Sequence, residues 1–166
     1  MPATYEPIST VTLGSAASTI TFSAIPNTFT DLKLILTGNS RYATSFLRIR
    51  YNGNSSAIYS TTWLSGSGTA ATSSRNTSTP YINSVSTFYT AGNSPSMAEI
   101  DIFSYAGSTN KTCLFRVSGD QNGIGFVNPA VGLWSNTSAI TSVTVELNGD
   151  EWSSGTTATL YGILRA

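Results

Sequence analysis

The sequence predicts an all-β protein, an antiparallel β-sandwich of the jelly-roll kind with about ten short strands. Apolar residues recur at every second position in segment after segment, and turn residues separate these segments roughly every eight to fourteen positions. No stretch keeps a helical period over three turns. Roughly a third of the 166 residues are Ser or Thr, and the β-branched Thr favours pleated strands.

The first half of the chain holds five predicted strands. They comprise an irregular segment with Ile8, Val11 and Leu13, the alternation of Ile20 and Phe22, and residues 32–36, 46–51 and 57–64. Residues 32–36 are apolar except for Lys33, which predicts a strand covered on both faces or near the centre of the sandwich. Asn52-Gly53 is a strong type I′ turn signal, because that turn needs positive φ twice. We therefore expect residues 45–64 to form a β-hairpin.

Residues 65–79 have no periodic apolar residue, so we expect a long exposed loop there. Such a segment has too little apolar surface to bury to offset the conformational entropy that it would lose on ordering. The loop is the first candidate for contact with a partner, and Arg75 is its charged residue. The strands before the loop and the strands after it depend on each other to form one sandwich. We therefore expect residues 1–166 to form a single β-sandwich domain.

Strand patterning resumes in the second half of the chain. The segments are residues 81–89, 97–105, 112–117, 124–134, 140–147 and 158–164, with Pro129 weakening the fourth. Residues 120–123 and 148–151 combine Asp, Asn and Gly, as calcium loops do. Neither segment completes the EF-hand spacing, and tight turns demand the same residues, so plain turns are favoured.

The charge balance and the amino-terminal sequence limit the classes of partner that we expect. Eight basic and eight acidic residues balance, which leaves no net charge to attract nucleic acid or anionic lipid. The amino end has neither a basic segment nor an apolar run, and nothing approaches the ~20 apolar residues of a membrane span. We expect a chain made in the cytoplasm, with no nucleic acid and no membrane among its partners.

The sequence has few of the residues that enzymes commonly use for catalysis. The chain has no histidine, the commonest general base and metal ligand. Cys113 is the single cysteine and lies in an apolar stretch, as a core residue would. Glu99 and Asp101 are spaced as a glycosidase pair could be, but two charges on the wet face of a strand are the more common arrangement. We expect no enzyme, no cofactor and no metal.

Four residues are candidate partner contacts. Arg48 and Arg50 alternate with apolar residues and should lie on a solvated strand face. Trp152 stands among polar residues and is the least core-like of the three tryptophans, whereas Trp63 and Trp134 are more typical of a core. Arg75 lies in the predicted loop. Exposed aromatic rings would suit either a glycan or a protein partner.

Both ends of the chain resemble small virion proteins of tailed bacteriophages, notably those of cyanobacteria and other aquatic bacteria. The matching residues are Tyr5-Glu6-Pro7-Ile8, Thr12-Leu13-Gly14-Ser15, Ile20-Thr21-Phe22-Ser23, Ile25-Pro26, Phe29-Thr30-Asp31-Leu32 and Thr159-Leu160-Tyr161-Gly162-Ile163. The resemblance covers about the first 35 and the last 10 residues. It implies a β-sandwich module and carries no catalytic residue.

The resemblance implies a structural protein on the outer surface of a virion. The first expectation is a capsid decoration (cement) protein that binds the major capsid protein or other virion proteins, as a homo-oligomer, either trimer or dimer. Binding only the assembled shell would stabilise it by mass action. The alternative is a tail-fibre or receptor-binding, lectin-like module of the phage tail, which would use residues 65–79 and exposed aromatic rings.

Overall fold

The chain folds into a sandwich of two antiparallel sheets in a computed structural model that describes residues 4–90, 94–119 and 128–164. The described residues form twelve strands and no helix. In chain order these are β1 (Tyr5–Thr12), β2 (Thr19–Phe22), β3 (Asp31–Gly38), β4 (Ser45–Tyr51), β5 (Tyr59–Gly66), β6 (Ala71–Thr79), β7 (Ile82–Phe88), β8 (Ser96–Phe103), β9 (Lys111–Ser118), β10 (Ala130–Trp134), β11 (Val143–Leu147) and β12 (Thr157–Ile163). The predicted all-β, jelly-roll-like sandwich is confirmed, with twelve strands in the described residues where about ten were expected.

The two sheets differ in width. The large sheet has the order β1-β12-β3-β8-β9-β10-β5-β6, and the small sheet has the order β2-β11-β4-β7. Neighbouring strands in the large sheet are mostly distant in sequence, so its order cannot be inferred from turn signals alone. The edge strands are β1 and β6 in the large sheet, and β2 and β7 in the small one.

Period-two alternation places one face of each sheet in the core. Leu32, Leu34 and Leu36 of β3 are fully buried, and Leu47 and Ile49 of β4 in the small sheet belong to the same core cluster. The side chains between them point outward and are half-buried or exposed. Residues 32–36 are therefore central, as predicted, but they are covered by the second sheet on one face only.

Gly132 of β10, in the large sheet, packs closely against a side chain of the small sheet. A Cβ atom on Gly132 would lie 2.5 Å from Cγ2 of Ile82 on β7 and 2.7 Å from the thiol sulfur of Cys113 on β9. Glycine is thus required here by space and not by backbone conformation. Cys113 is fully buried beside it, which confirms the predicted core position.

The predicted hairpin at residues 45–64 is wrong. The Asn52-Gly53 turn forms as expected, with φ values of 53° and 63°. However, β4 pairs with β11 and β7 in the small sheet, whereas β5 pairs with β10 and β6 in the large one. The turn therefore carries the chain between sheets. The side-chain oxygen of Asn52 fixes it by accepting hydrogen bonds from the amides of Thr141 and Ser142, at 2.8 and 3.1 Å.

The predicted loop at residues 65–79 is also corrected. Ala71–Thr79 is strand β6, paired with β5 from Gly66 opposite Ala71 to Thr61 opposite Asn76. The turn between the strands closes with a 3.0 Å hydrogen bond from the Ser67 amide to the Ala70 carbonyl. Residues 67–78 are all exposed, so the expectation of exposure is confirmed although that of a loop is not. Backbone hydrogen bonds to β5 order the segment without side-chain burial.

Two predicted turns have different outcomes. The turn at residues 120–123 and the start of the strand predicted at 124–134 lie outside the described residues. The remainder of that strand is β10. At Asn148-Gly149 the chain turns with a φ of 72° at Gly149, between the bridged residues Leu147 and Asp150.

Candidate functional site

An apolar groove lies on the outer face of the large sheet, where β9, β10 and β5 run side by side. It is lined by Thr62, Trp63, Leu64, Ser73, Leu114, Pro129, Ala130 and Val131, and its volume is about 240 Å³. Val131 lies in register with Leu114 on one side and Thr62 on the other. Leu64 extends the groove, and its amide donates a 3.1 Å hydrogen bond to the carbonyl of Pro129.

Aliphatic side chains in the groove are unusually open to solvent. Leu64 is 61% exposed and Val131 is 50% exposed. Contiguous apolar surface of this kind marks interaction sites in soluble proteins, because water is released only when a partner covers it. Sequence reasoning missed the groove. The alternation of Thr62 and Leu64 on one face of β5 was the available signal, but the Ser- and Gly-rich sequence that follows obscured it.

Residues 64–78 form an arm beside the groove, made of the end of β5, the turn and most of β6. The candidate contact Arg75 lies on this arm, opposite Thr62, and is exposed. Among the described residues, no salt bridge to Arg75 is present. Its guanidinium is therefore available to a partner next to the apolar groove.

A second open surface, the polar basin, lies at the small sheet. Its lining residues are Ser18, Thr19, Tyr42, Arg48, Glu146, Leu147, Gly149, Asp150 and Glu151, around a volume of about 560 Å³. The amide of Ala43 donates to the Asp150 carboxylate at 2.8 Å, which holds the segment carrying Tyr42. Tyr42 is 67% exposed, and the Arg41 guanidinium lies 4.6 Å from its ring centroid.

The candidate contacts Arg48 and Arg50 lie on the outer face of β4, with Arg48 lining the polar basin. Arg48 stacks over Tyr81 at 3.9 Å from the ring centroid and donates to its hydroxyl at 2.8 Å. Arg50 forms a 2.5 Å ion pair with Glu146. Both side chains are half-buried by these contacts, so the expected solvated face is in fact a packed layer of charged and aromatic groups.

Trp152, the remaining candidate contact, is fully buried. Its polar neighbours in sequence belong to a surface turn, but its indole points inward and packs against Phe88. The expectation that Trp152 is the least core-like tryptophan is therefore wrong, and its ring is not on a surface where a partner could contact it. Trp134 is buried as well, whereas Trp63 is half-buried beside the groove.

Glu99 and Asp101 share the outer face of β8 with two cations. Lys33 on β3 bridges both carboxylates, at 2.5 Å to Glu99 and 2.9 Å to Asp101. Arg116 on β9 pairs with the same two residues from the other side, at 3.4 and 2.7 Å. Partial burial lowers the pKa of Lys33, but hydrogen bonds to the two carboxylates outweigh it and the pKa is raised above its ordinary value. The four side chains form one cross-strand ion-pair network.

Lys111 is a buried cation that sequence reasoning did not single out. Its side chain is fully buried, and its ammonium donates to the carbonyls of Gly107 at 2.7 Å, Thr137 at 3.3 Å and Thr109. Burial lowers its pKa. Because carbonyl groups surround the ammonium, Lys111 joins two loops and serves a structural purpose.

Neither a cluster of metal-ligating side chains nor a membrane-spanning helix occurs in the described residues. Within residues 4–90, 94–119 and 128–164, no group of three or more Cys, Asp or Glu side chains is placed to hold a metal ion. No helix long and apolar enough to cross a bilayer is present in the described part of the chain.

Comparisons with known proteins give a distant structural neighbour. No protein-family model matches the sequence, and a search of curated proteins found no match. Among solved structures, the galectin LEC-6 of Caenorhabditis elegans is similar, with 11% identity and a TM-score of 0.38. The alignment covers 94% of this chain and 96% of the galectin.

Proposed function

We propose that this chain is a structural protein of a bacteriophage virion, a decoration protein that binds the assembled shell and stabilises it. The observation that carries the proposal is the apolar groove with the arm beside it. These features suit a protein that acts by covering surface on its neighbours. The proposal assigns no turnover to the chain, in keeping with the ion pairing of Glu99 and Asp101.

The segments that resemble virion proteins support this proposal through their placement. They lie mainly in β1, β2, β3 and β12, and three of these strands are adjacent in the large sheet in the order β1-β12-β3. The groove and arm lie at the opposite side, on β9, β10, β5 and β6. The strands that resemble the phage proteins thus lie at one side of the large sheet, and the strands that carry the apolar groove and the arm lie at the other.

Copy number in purified particles tests the proposed location. Quantitative mass spectrometry of the phage that encodes the chain should find hundreds of copies per particle, because a decoration protein follows the symmetry of the shell. A few to a few dozen copies would assign the chain to the tail, and its absence from particles would overturn the virion role.

Groove variants test the proposed contact. Leu64→Ser with Val131→Thr should reduce binding of the purified chain to shells that lack it, because apolar area leaves the interface. Tyr5→Ser is the matched control, since Tyr5 is 52% exposed on β1, at the far edge of the same sheet. Equal binding by the groove variant and the control would show that the groove is not the contact.

A lectin-like module of the phage tail is the second candidate, and the polar basin favours it. An exposed tyrosine ring beside an arginine and several carboxylates offers the stacking surface and hydrogen-bonding groups that sugars use. Glycan arrays and adsorption to host cells test this candidate. Binding that Tyr42→Ala abolishes and Tyr5→Ala retains would support it, whereas no binding to any host surface would remove it.

A further inference from the structure

We propose that the free edge of β6 pairs with β6 of a second copy, joining two large sheets into one antiparallel sheet across a two-fold axis. The β6 edge is then the contact surface of the expected homo-oligomer. The oligomer would be a dimer and not a trimer, because an edge that pairs with its own copy is fully used by two copies. It stands independently of a role in the virion.

The four sheet edges differ in how well they are protected. Strand β1 carries Pro7 and a register shift between Pro7 and Ser9, and β2 has only four residues. The ladder between β4 and β7 also shifts register. The ladder between β5 and β6 shifts register as well, but only beyond Asn76, and β6 keeps regular pairing over the six residues from Ala71 to Asn76 and contains no proline. Prolines, bulges, short strands and charged side chains are among the means by which proteins block edge pairing, and the regular part of β6 has only the single charge of Arg75.

The side chains of β6 suit pairing with an identical strand. Its regular part contains small polar residues and one charge, Arg75. The molecule already joins strands through facing hydroxyl groups: Thr10 with Thr159 at 3.0 Å, and Thr21 with Thr144 at 3.0 Å. Pairing two β6 strands would repeat that chemistry. No large apolar side chain in β6 could fill a pocket on an unrelated partner, which favours a second copy.

Symmetry and charge restrict the register. A two-fold axis perpendicular to the sheet keeps each side chain on its own face. One residue of β6 must therefore lie directly opposite its own copy, with the axis running between the two, and the register is centred on that residue. Centring on Arg75 would oppose two guanidinium groups, whereas centring on Ser73 or Ser74 places each Arg75 across from Ala71 or Ser73. The chain has no net charge, so two copies do not repel each other overall.

The same axis places both apolar grooves on one face of the joined sheet. Ser73 already lines the groove at the β6 side, so the two grooves would flank the seam between copies. A partner that covers the seam would contact Leu64 and Val131 of both copies. Dimer formation would thus double the apolar surface offered to one partner.

Cross-linking of the full chain tests the pairing directly. Cys113 is fully buried, so a cysteine introduced at an exposed position is the reactive one. Two variants cover the two permitted registers, Ser73→Cys for a seam centred on Ser73 and Ser74→Cys for one centred on Ser74, because a disulfide forms only between directly opposite positions. Under mild oxidation one of the two should give a disulfide-linked dimer, whereas Ser9→Cys, at the bulged β1 edge, should stay monomeric. Cross-linking of neither β6 variant above the level of Ser9→Cys would overturn the inference.

Sedimentation supplies the second test. Wild-type protein should dimerise reversibly, and Ser74→Lys should raise the dimer dissociation constant roughly three- to tenfold, because it opposes like charges across the seam. Ser9→Lys should leave the constant unchanged, and circular dichroism should show all three proteins folded alike. A wild-type chain that stays monomeric at protein concentrations up to about 1 mM would overturn the inference. Neither test uses phage particles, so failure of the proposed virion role leaves both interpretable.

Discussion

The indole of Trp152 meets the ring of Phe88 edge to face, with ring centroids 5.0 Å apart and ring planes at 89°. The backbone of Trp152 also bridges to Ala17, with hydrogen bonds of 2.8 and 3.1 Å in the two directions. One residue outside the named strands thus connects β7 to the segment between β1 and β2. The stability of the sandwich should therefore be sensitive to shortening of the Trp152 side chain.

Trp152→Ala should lower the free energy of unfolding by about 3–5 kcal/mol, because it opens a large cavity beside Phe88. Trp63→Ala is the comparison, since Trp63 is only half-buried and should cost clearly less. Urea unfolding followed by circular dichroism measures both. Equal costs would show that the buried edge-to-face contact contributes nothing particular.

Gly132→Ala should destabilise the protein by about 1–3 kcal/mol, since the new methyl group would overlap Ile82 and Cys113. Gly66→Ala, at a strand position with no atom within 4 Å of the added group, should change stability by less than about 0.5 kcal/mol. Thermal unfolding of the two variants gives the comparison. A neutral Gly132→Ala would show that the sheets separate more easily at this point than the packing indicates.

Cys113 should make stability fall at high pH. Burial raises the pKa of its thiol to about 12, so the folded protein keeps a proton that the unfolded chain loses at lower pH. The stabilising effect is complete below about pH 8.5 and is lost as the pH rises toward 12, on the order of 1 kcal/mol per pH unit. Urea midpoints between about pH 8.5 and pH 9.5 measure the slope. Closer to pH 10 the tyrosines of the unfolded chain lose protons too, and burial raises the pKa values of Tyr51, Tyr59 and Tyr105 in the folded protein, which adds a slope of the same sign.

Cys113→Ala is the control for this slope, which it should reduce in that pH interval. The native thiol should also resist a disulfide reagent until the protein is unfolded, because the reactive thiolate is not formed in the core. Rapid labelling of the folded protein at pH 8 would contradict the burial.

Lys33→Met should destabilise the protein by about 1–3 kcal/mol, because it leaves Glu99 and Asp101 with Arg116 as their remaining ion-pair partner. Thr37→Met is the matched variant, at an exposed position on the same face of β3. It changes surface without touching the network. Chemical denaturation near neutral pH should separate the two, and equal midpoints would mean that the network contributes no net stability.

The sequence predicted strands well where one face is buried. The alternation at β3, β4, β8 and β11 follows directly from a covered inner face, and the positions of these strands agree with the pattern. The pattern missed β6, because all of its side chains except Thr79 are exposed and its order comes from backbone pairing with β5. Alternation of apolar and polar residues arises where one face of a strand is buried, and β6 buries almost none of its side chains.

Pairing between strands was the second limit of sequence reasoning. Asn52-Gly53 specifies the local turn, but the partner of each strand depends on contacts far along the chain, such as those between β4 and β11. The candidate surface was limited in the same way. Arg75 could be placed on an exposed segment from sequence, whereas the groove forms only because β9, β10 and β5 become neighbours.

Pairing of β1 with β12 brings the two ends of the described fold together. The amide of Leu164 donates a 3.1 Å hydrogen bond to the carbonyl of Thr4, at the sheet edge farthest from β6. Seven strand spacings of about 4.8 Å separate the two edges, on the order of 30 Å. A fluorescent label or affinity tag fused near either end would therefore be carried well away from the arm, and the chain could be immobilised there with its opposite edge still accessible.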